Sequence, residues 1–159
     1  RSLIGQYHAR VPFVKKLMNG VTQRLNEKSS SGSIRSIRGR KCRFDLWEPD
    51  TFSMNKALPY KEALKEYGET TRLKRAYSYK ALNRLIQASA ADMTKQAMLN
   101  LYKEGVIPLI QIHDEIAVSV KDKNVAKDIA TTMENAVKLE VPNKCDVDIG
   151  PSWGEATSC

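Results

Sequence analysis

The sequence predicts an α+β fold, a layer of helices against antiparallel strands. Two observations carry that expectation. Apolar residues recur at helical spacing near 12–27, 76–104 and 123–139. Between and after the last two stripes come β-rich runs, Leu109–Ile112, Ile116–Val120 and Cys145–Ile149, the first pair separated by only three polar residues. The hairpin and the last strand are expected to share one antiparallel sheet, packed against the long helix and two further helices.

In chain order, Phe13, Leu17, Val21 and Leu25 repeat at four-residue steps behind Pro12, whose fixed φ suits a first helical turn. The cluster Ser29-Ser30-Ser31-Gly32-Ser33 ends that helix as a loop. Residues 34–44 form a basic hairpin with Arg38-Gly39 at its turn, and Ile34, Ile37, Cys42 and Phe44 are its candidates for burial. Arg35, Arg38, Arg40, Lys41 and Arg43 crowd the same stretch, either as a solvated face or as a ribbon that tracks phosphates. Residues 48–75 are polar and punctuated by Pro49, Pro59 and Gly68, with Tyr60, Ala63, Leu64 and Tyr67 suggesting one short helix.

The stripe Leu82, Leu85, Ile86, Met93, Ala97 and Leu101 is the strongest in the chain, and Gly105 stands where a C′ glycine belongs. On another side of this helix Asn83 and Gln87 are four residues apart and therefore neighbours, with Ala90, Ala91 and Thr94 continuing the row. Amides so placed either face water or donate to the minor-groove acceptors that every base pair presents. The hairpin that follows turns on His113-Asp114-Glu115, with none of the Gly or Asn that tight hairpins prefer. An imidazole and two carboxylates at that tip read as an ordinary acidic turn or as a seat for a hard divalent cation. Successive side chains point to opposite faces of a strand, so Asp114 and Glu115 cannot serve one ion equally, and Asp114 is the better ligand. A last helix carries Val125, Ile129, Met133 and Val137, and Cys145, Val147 and Ile149 then alternate with Asp146 and Asp148 as a half-wet strand.

With 159 residues and 42% apolar content the chain can bury a core, and no apolar run approaches the roughly 20 residues of a membrane span. Three cysteines, Cys42, Cys145 and Cys159, lack both metal-ligand spacing and disulfide density, so a reducing, cytosolic setting is expected. Charge is unevenly shared. Residues 1–47 hold 11 Lys and Arg against two acids, whereas the other 112 hold 15 against 16, so the whole excess of the +8 chain lies at one end. A localised cationic surface is what a polyanion-binding face requires. The chain begins with Arg1, not Met, as a piece of a longer protein would.

Taken in order, Asn83-x-x-x-Gln87-x-x-Ala90-Ala91-Asp92 with Lys95, Ala97 and Met98, then Gln111-Ile112-His113-Asp114-Glu115, then Gly150-Pro151-Ser152-Trp153, resemble the C-terminal palm of the family A, polymerase I type, DNA polymerases. The likeness extends to Tyr7–Leu17 and the Gly39-Arg40 hairpin, covers about 1–47 and 76–156, and leaves 48–75 as an insertion of the kind that suits a phage-like member. The resemblance implies that all of 1–159 is the C-terminal part of a palm. It implies that Asp114 binds the catalytic magnesium ions, two in number, with Glu115 as accompanying carboxylate and His113 against the primer end. Asn83 and Gln87 would touch primer and template in the minor groove, and Lys80, Arg38, Arg40 and Arg43 would meet the DNA backbone.

Two elements of the family pattern are absent from this sequence: the Asp-x-Ser-x-x-Glu motif with the first catalytic aspartate, and the fingers helix that receives the incoming nucleotide. Primer-template DNA and deoxynucleoside triphosphate would therefore be handled together with an upstream polymerase segment in cis or in trans, in bacterial or phage-infected cytosol and away from membranes. Alone the chain is expected to be inactive. Two smaller departures are Tyr79, where many members have arginine, and Gln87-Ala88-Ser89 in place of Gln-Gly-Thr. The competing readings are a noncatalytic nucleic-acid-binding domain and a small nuclease built on the His-Asp-Glu turn with Asp146 or Asp148.

Overall fold

The computed structural model describes every residue except Arg1, Lys28, Phe52, Met54 and Cys159, so the expectations resting on Arg1 and Cys159 lie outside the described residues. The chain forms two compact units, one ending at Ala88 and one starting at Ser89. Helices and short antiparallel strands make up both, as an α+β chain requires.

The first unit opens with α1 (Leu3–Arg10), begun by Ser2, whose Oγ accepts from the Gly5 N–H at 3.2 Å. A proline disfavours helical ψ in the residue before it, and Val11 accordingly leaves the helix at φ −128°, ψ 66°. The chain restarts at once as α2 (Pro12–Asn26). Of the predicted stripe only Val21 and Leu25 are covered: they pack with Ile34, Phe44 and Ala81, while Phe13 and Leu17 remain 66% and 49% exposed. Burying Leu25 and Phe44 contributes roughly 1.5–3 kcal/mol each.

Strands β1 (Ser33–Arg35) and β2 (Lys41–Arg43) pair antiparallel with Ile34 opposite Cys42. Gly39 occupies φ +84° in the five-residue loop between them. Ile37 sits in that loop and not in a strand, so period-two alternation does not reach it, and it is exposed rather than buried. Residues 46–75 build a three-stranded sheet, β3 (Leu46–Pro49) between β4 (Leu58–Pro59) and β5 (Leu73–Arg75), with α3 (Tyr60–Tyr67) inserted where the short helix was expected. A 3₁₀ turn, Ser78–Lys80, then leads into α4 (Ala81–Lys103), so the long helix starts five residues later than its stripe suggested. Ile86 belongs to the solvent side of α4, 56% exposed, although its spacing fits the apolar stripe.

In the second unit α4 ends in a Schellman motif: Val106 N–H donates to Leu101 O at 2.9 Å and Gly105 N–H to Tyr102 O at 3.1 Å, with Gly105 at φ +81°. Leu101, Ala97, Ala126 and Ile129 are the buried apolar residues here. Strands β6 (Ile110–Ile112) and β7 (Glu115–Ala117) form the expected hairpin. Helix α5 (Lys123–Glu134) is capped by Asp122, whose Oδ1 accepts from Asn124 N at 2.7 Å and Val125 N at 3.2 Å. It stops five residues short of the predicted end. Asn135 turns out of helical geometry with its side-chain amide on Thr131 O at 2.8 Å, and the Glu134 carboxylate receives the Cys145 N–H at 3.0 Å.

The burial alternation of 145–149 is as read, but only β8 (Asp148–Ile149) is paired, and its partner is β9 (Thr157–Ser158). Hairpin and last strand therefore do not share a sheet: among the described residues there are four separate antiparallel sheets. Sequence-local closure explains it, since β9 returns after a short turn and the loop-entropy cost of pairing with it is small. No helix among the described residues is long and apolar enough to cross a membrane.

Candidate nucleic-acid and metal site

The tip of the β6–β7 hairpin is a two-residue loop, His113-Asp114, closed by the pair Ile112–Glu115. His113 lies at φ +53°, at the first loop position, where a glycine ordinarily supplies the positive φ. For a non-glycine residue that conformation costs about 1–2 kcal/mol. Gln111 holds the bend by donating its side-chain amide to the His113 carbonyl. His113, Asp114 and Glu115 are all exposed, so the carboxylates stand in water at the tip of a two-stranded ribbon.

Asp114 and Glu115 offer hard oxygen donors suited to a magnesium ion, yet among the described residues no group of three His, Cys, Asp or Glu side chains comes together to hold a metal. The tip is thus one carboxylate centre. Asp148 accepts from Ser158 Oγ at 2.9 Å across the β8–β9 pair and joins no such group among the described residues. At Cys145, burial first, then Glu134 and Asp146, push the thiol pKa up, against an opposing pull from Lys144.

In the first unit the register of β1 and β2 sorts the basic hairpin into two faces. Ile34 and Cys42 turn inward, half-buried, while Arg35, Lys41 and Arg43 project from the other face, all exposed. The loop is fixed by Ser36, 5% exposed, whose N–H donates to Arg40 O at 2.9 Å and whose Oγ accepts from Arg40 N at 3.1 Å. Arg35 Nη1 reaches Gly39 O at 2.8 Å, and Arg40 Nη2 donates to Ala88 O of α4 at 2.8 Å, so Arg40 also ties the hairpin to the helix. Arg38, Arg40 and Arg43 remain exposed. On α4 the amides of Asn83 and Gln87 lie exposed one turn apart, with Lys80 exposed just before them.

Sequence reasoning missed Arg75. Its guanidinium donates to three carbonyls, Leu25 O at 3.0 Å, Phe44 O at 2.8 Å and Ser30 O at 3.3 Å, and stacks 4.5 Å from the Trp47 ring centroid. Its partners lie 28 to 50 residues away in sequence, so no local pattern could have flagged it. Tyr77 and Tyr79 were missed as a pair flanking Lys80, as was Arg84, whose guanidinium covers the Phe44 ring at 4.9 Å.

Comparison with known proteins shows what the chain as a whole is similar to. The family model for DNA polymerase family A matches residues 1–155. A DNA-directed DNA polymerase of Pseudomonas phage M6 is 35% identical over 156 residues, which is 98% of this chain and 20% of the relative. DNA polymerase theta of Drosophila melanogaster is 32% identical over 171 residues, covering 98% of this chain and 7% of the relative. DNA polymerase I of Geobacillus stearothermophilus is 30% identical over 162 residues, 96% of this chain and 16% of that protein. The chain thus spans a fifth or less of the length of these relatives.

Proposed function

Because the chain belongs to DNA polymerase family A, we propose that it is the C-terminal palm segment of a DNA-directed DNA polymerase and contributes one of two carboxylate centres to template-directed nucleotide addition at a primer 3′ end. The observation that carries this reading is the seat of Asp114: an exposed carboxylate on a hairpin tip whose backbone is held in a costly conformation, inside a sequence that matches the family over residues 1–155.

Asp114, with Glu115 beside it, would hold magnesium jointly with an aspartate of an upstream segment. When bound, the ions lower the pKa of the primer hydroxyl and neutralise the triphosphate and leaving oxygen. The chain's own residues bind and orient. Arg38, Arg40 and Arg43 neutralise backbone phosphates, Asn83 and Gln87 donate to base-edge acceptors in the minor groove, and His113 lies against the primer end. Primer-template DNA and deoxynucleoside triphosphate are the substrates, the triphosphate being received by the upstream segment. On this reading residues 48–75 are an insertion of the kind that suits a phage-like member.

The test is primer extension by the chain alone and by the chain supplied with the upstream segment of a relative such as the phage M6 polymerase. Templated synthesis is expected from the pair and not from the chain, since a lone carboxylate centre cannot hold two ions in register. Synthesis by the isolated chain, or none from a well-folded pair, would sink the reading.

The basic hairpin yields a separate expectation. Changing Arg38, Arg40 and Arg43 together to Gln should weaken duplex binding for any sequence and lower the log–log salt slope by up to about 2.7, or about 0.9 for each phosphate that is no longer neutralised. Fluorescence anisotropy across a salt series reads both. An unchanged slope would make the hairpin a solubility feature.

A further inference from the structure

The tip of the β6–β7 ribbon holds a peptide unit that the strands do not secure. Ladder pairing ends at Ile112 opposite Glu115, so the amide plane joining His113 to Asp114 lies beyond it. His113 takes φ +53° and Asp114 is not among the positive-φ residues, so one left-handed residue turns that plane. The His113 carbonyl receives the side-chain amide of Gln111, two residues back on β6. Gln111, His113 and Asp114 are all exposed, so burial fixes neither end of this hydrogen bond, and the bond is itself the constraint.

What this does to Asp114 follows from peptide planarity. An amide plane is rigid, so a pinned carbonyl oxygen also fixes the Asp114 nitrogen on the other side of the plane. Only φ of Asp114 and its own side-chain torsions then lie between the Gln111 amide and the carboxylate. Without that amide His113 is free to relax out of the left-handed region toward the conformations a Cβ prefers, and each escape swings the carboxylate. One net hydrogen bond shifts such a local equilibrium by roughly two- to tenfold. The carboxylate feels the difference, because a ligating group has to be held within about 0.5 Å of its working position and magnesium tolerates little departure from octahedral geometry.

We propose that Gln111 is a positioning residue for Asp114: its side-chain amide holds the His113–Asp114 peptide so that the carboxylate points one way. This deepens the reading of Asp114 as a catalytic carboxylate and rests on it. Gln111 acts through the backbone of the turn and not by touching ion or substrate.

Nuclear magnetic resonance on the full chain reads the bend directly. A left-handed residue brings its own amide and α protons close together, so His113 should give a strong cross-peak between them. Gln111→Met keeps the side chain's length and removes its donor; the left-handed population at His113 should fall about two- to tenfold and the cross-peak should weaken with it. Gln111→Lys, whose chain again ends in an N–H donor, should recover the cross-peak. The melting temperature should stay at the wild-type value in both, because the site is exposed. Single-turnover primer extension, with the upstream segment supplied, reads the consequence. The Met variant should lose about two- to tenfold in rate constant while its affinity for primer-template is unchanged, a split that a general loss of structure would not produce.

A wild-type cross-peak in Gln111→Met, or none regained in Gln111→Lys, overturns the clamp. A wild-type rate beside a weakened cross-peak overturns the positioning role. A rate loss matched by an equal loss of duplex affinity overturns it as well and makes Gln111 a DNA contact instead. If the completed wild-type enzyme extends no primer, the polymerase reading fails and the positioning role fails with it. The wild-type control alone identifies that outcome, whereas failure of the clamp shows in the spectra of the chain by itself.

Discussion

Asp114→Asn is expected to cut nucleotide addition by about 10³-fold or more in an enzyme completed with an upstream segment, while changing duplex affinity less than about twofold. The substitution keeps the side chain's size and removes only its charge. Asp114 is exposed and is not among the positive-φ residues, so neither packing nor backbone geometry has a stake in the carboxylate. A loss of rate then reports on chemistry and not on folding. Glu115→Gln, in the pair that closes the loop, should cost less, since on the reading above Asp114 is the principal ligand and Glu115 only accompanies it. Single-turnover primer extension separates the two variants from effects on product release. Undiminished extension by Asp114→Asn would remove that residue from the metal site and return the hairpin tip to the status of an acidic turn.

That tip was largely legible beforehand because its evidence is local. Two β-rich runs around three polar residues specify a hairpin, and the lack of Gly or Asn announces a strained turn, which the left-handed His113 bears out. The long helix and its Gly105 stop were legible for the same reason: periodicity and a C′ glycine are read within a few turns. What local pattern cannot report is the partner. The stripe Phe13–Leu17–Val21–Leu25 is amphipathic throughout, yet only its last two members meet Phe44 and Ala81, and nothing in the spacing distinguishes the covered turns from the bare ones. The pairing of Asp148–Ile149 with Thr157–Ser158 instead of with the more β-prone hairpin is settled by chain connectivity and not by propensity. The candidate residues divide along the same line. His113, Asp114, Asn83 and Gln87 stand out by type and spacing, whereas Tyr77 and Tyr79 acquire meaning only from the ammonium between them.

Arg75 is the clearest case of a residue whose importance lies wholly in distant contacts, and Arg75→Met is expected to destabilise the first unit by about 3 kcal/mol. Three carbonyls lose a charge-assisted donor at once. Two of them belong to core residues, Leu25 and Phe44, at 1% and 3% exposure, where water replaces the guanidinium only poorly. Methionine keeps apolar contact with Trp47 but not the cation stacked 4.5 Å from its ring centroid. Lysine should recover only about 1 kcal/mol, because one ammonium cannot span three acceptors that a planar fork reaches together. Gly32 supplies an independent lever on the same contact. It sits at φ +64°, and a Cβ built there would fall 2.3 Å from Arg75 Cζ, so Gly32→Ala both strains the loop and displaces the guanidinium. If the two residues form one clamp, the double variant should be destabilised by at least about 1 kcal/mol less than the sum of the two single effects, as contacting residues are in double-mutant cycles. Urea unfolding followed by tryptophan fluorescence measures the wild type and all four variants. A change within about 0.5 kcal/mol for Arg75→Met, the range of ordinary surface substitutions, or strict additivity with Gly32→Ala, would show that the carbonyls are served by water and that the basic hairpin is held to α2 by the apolar cluster of Val21, Leu25, Ile34 and Phe44.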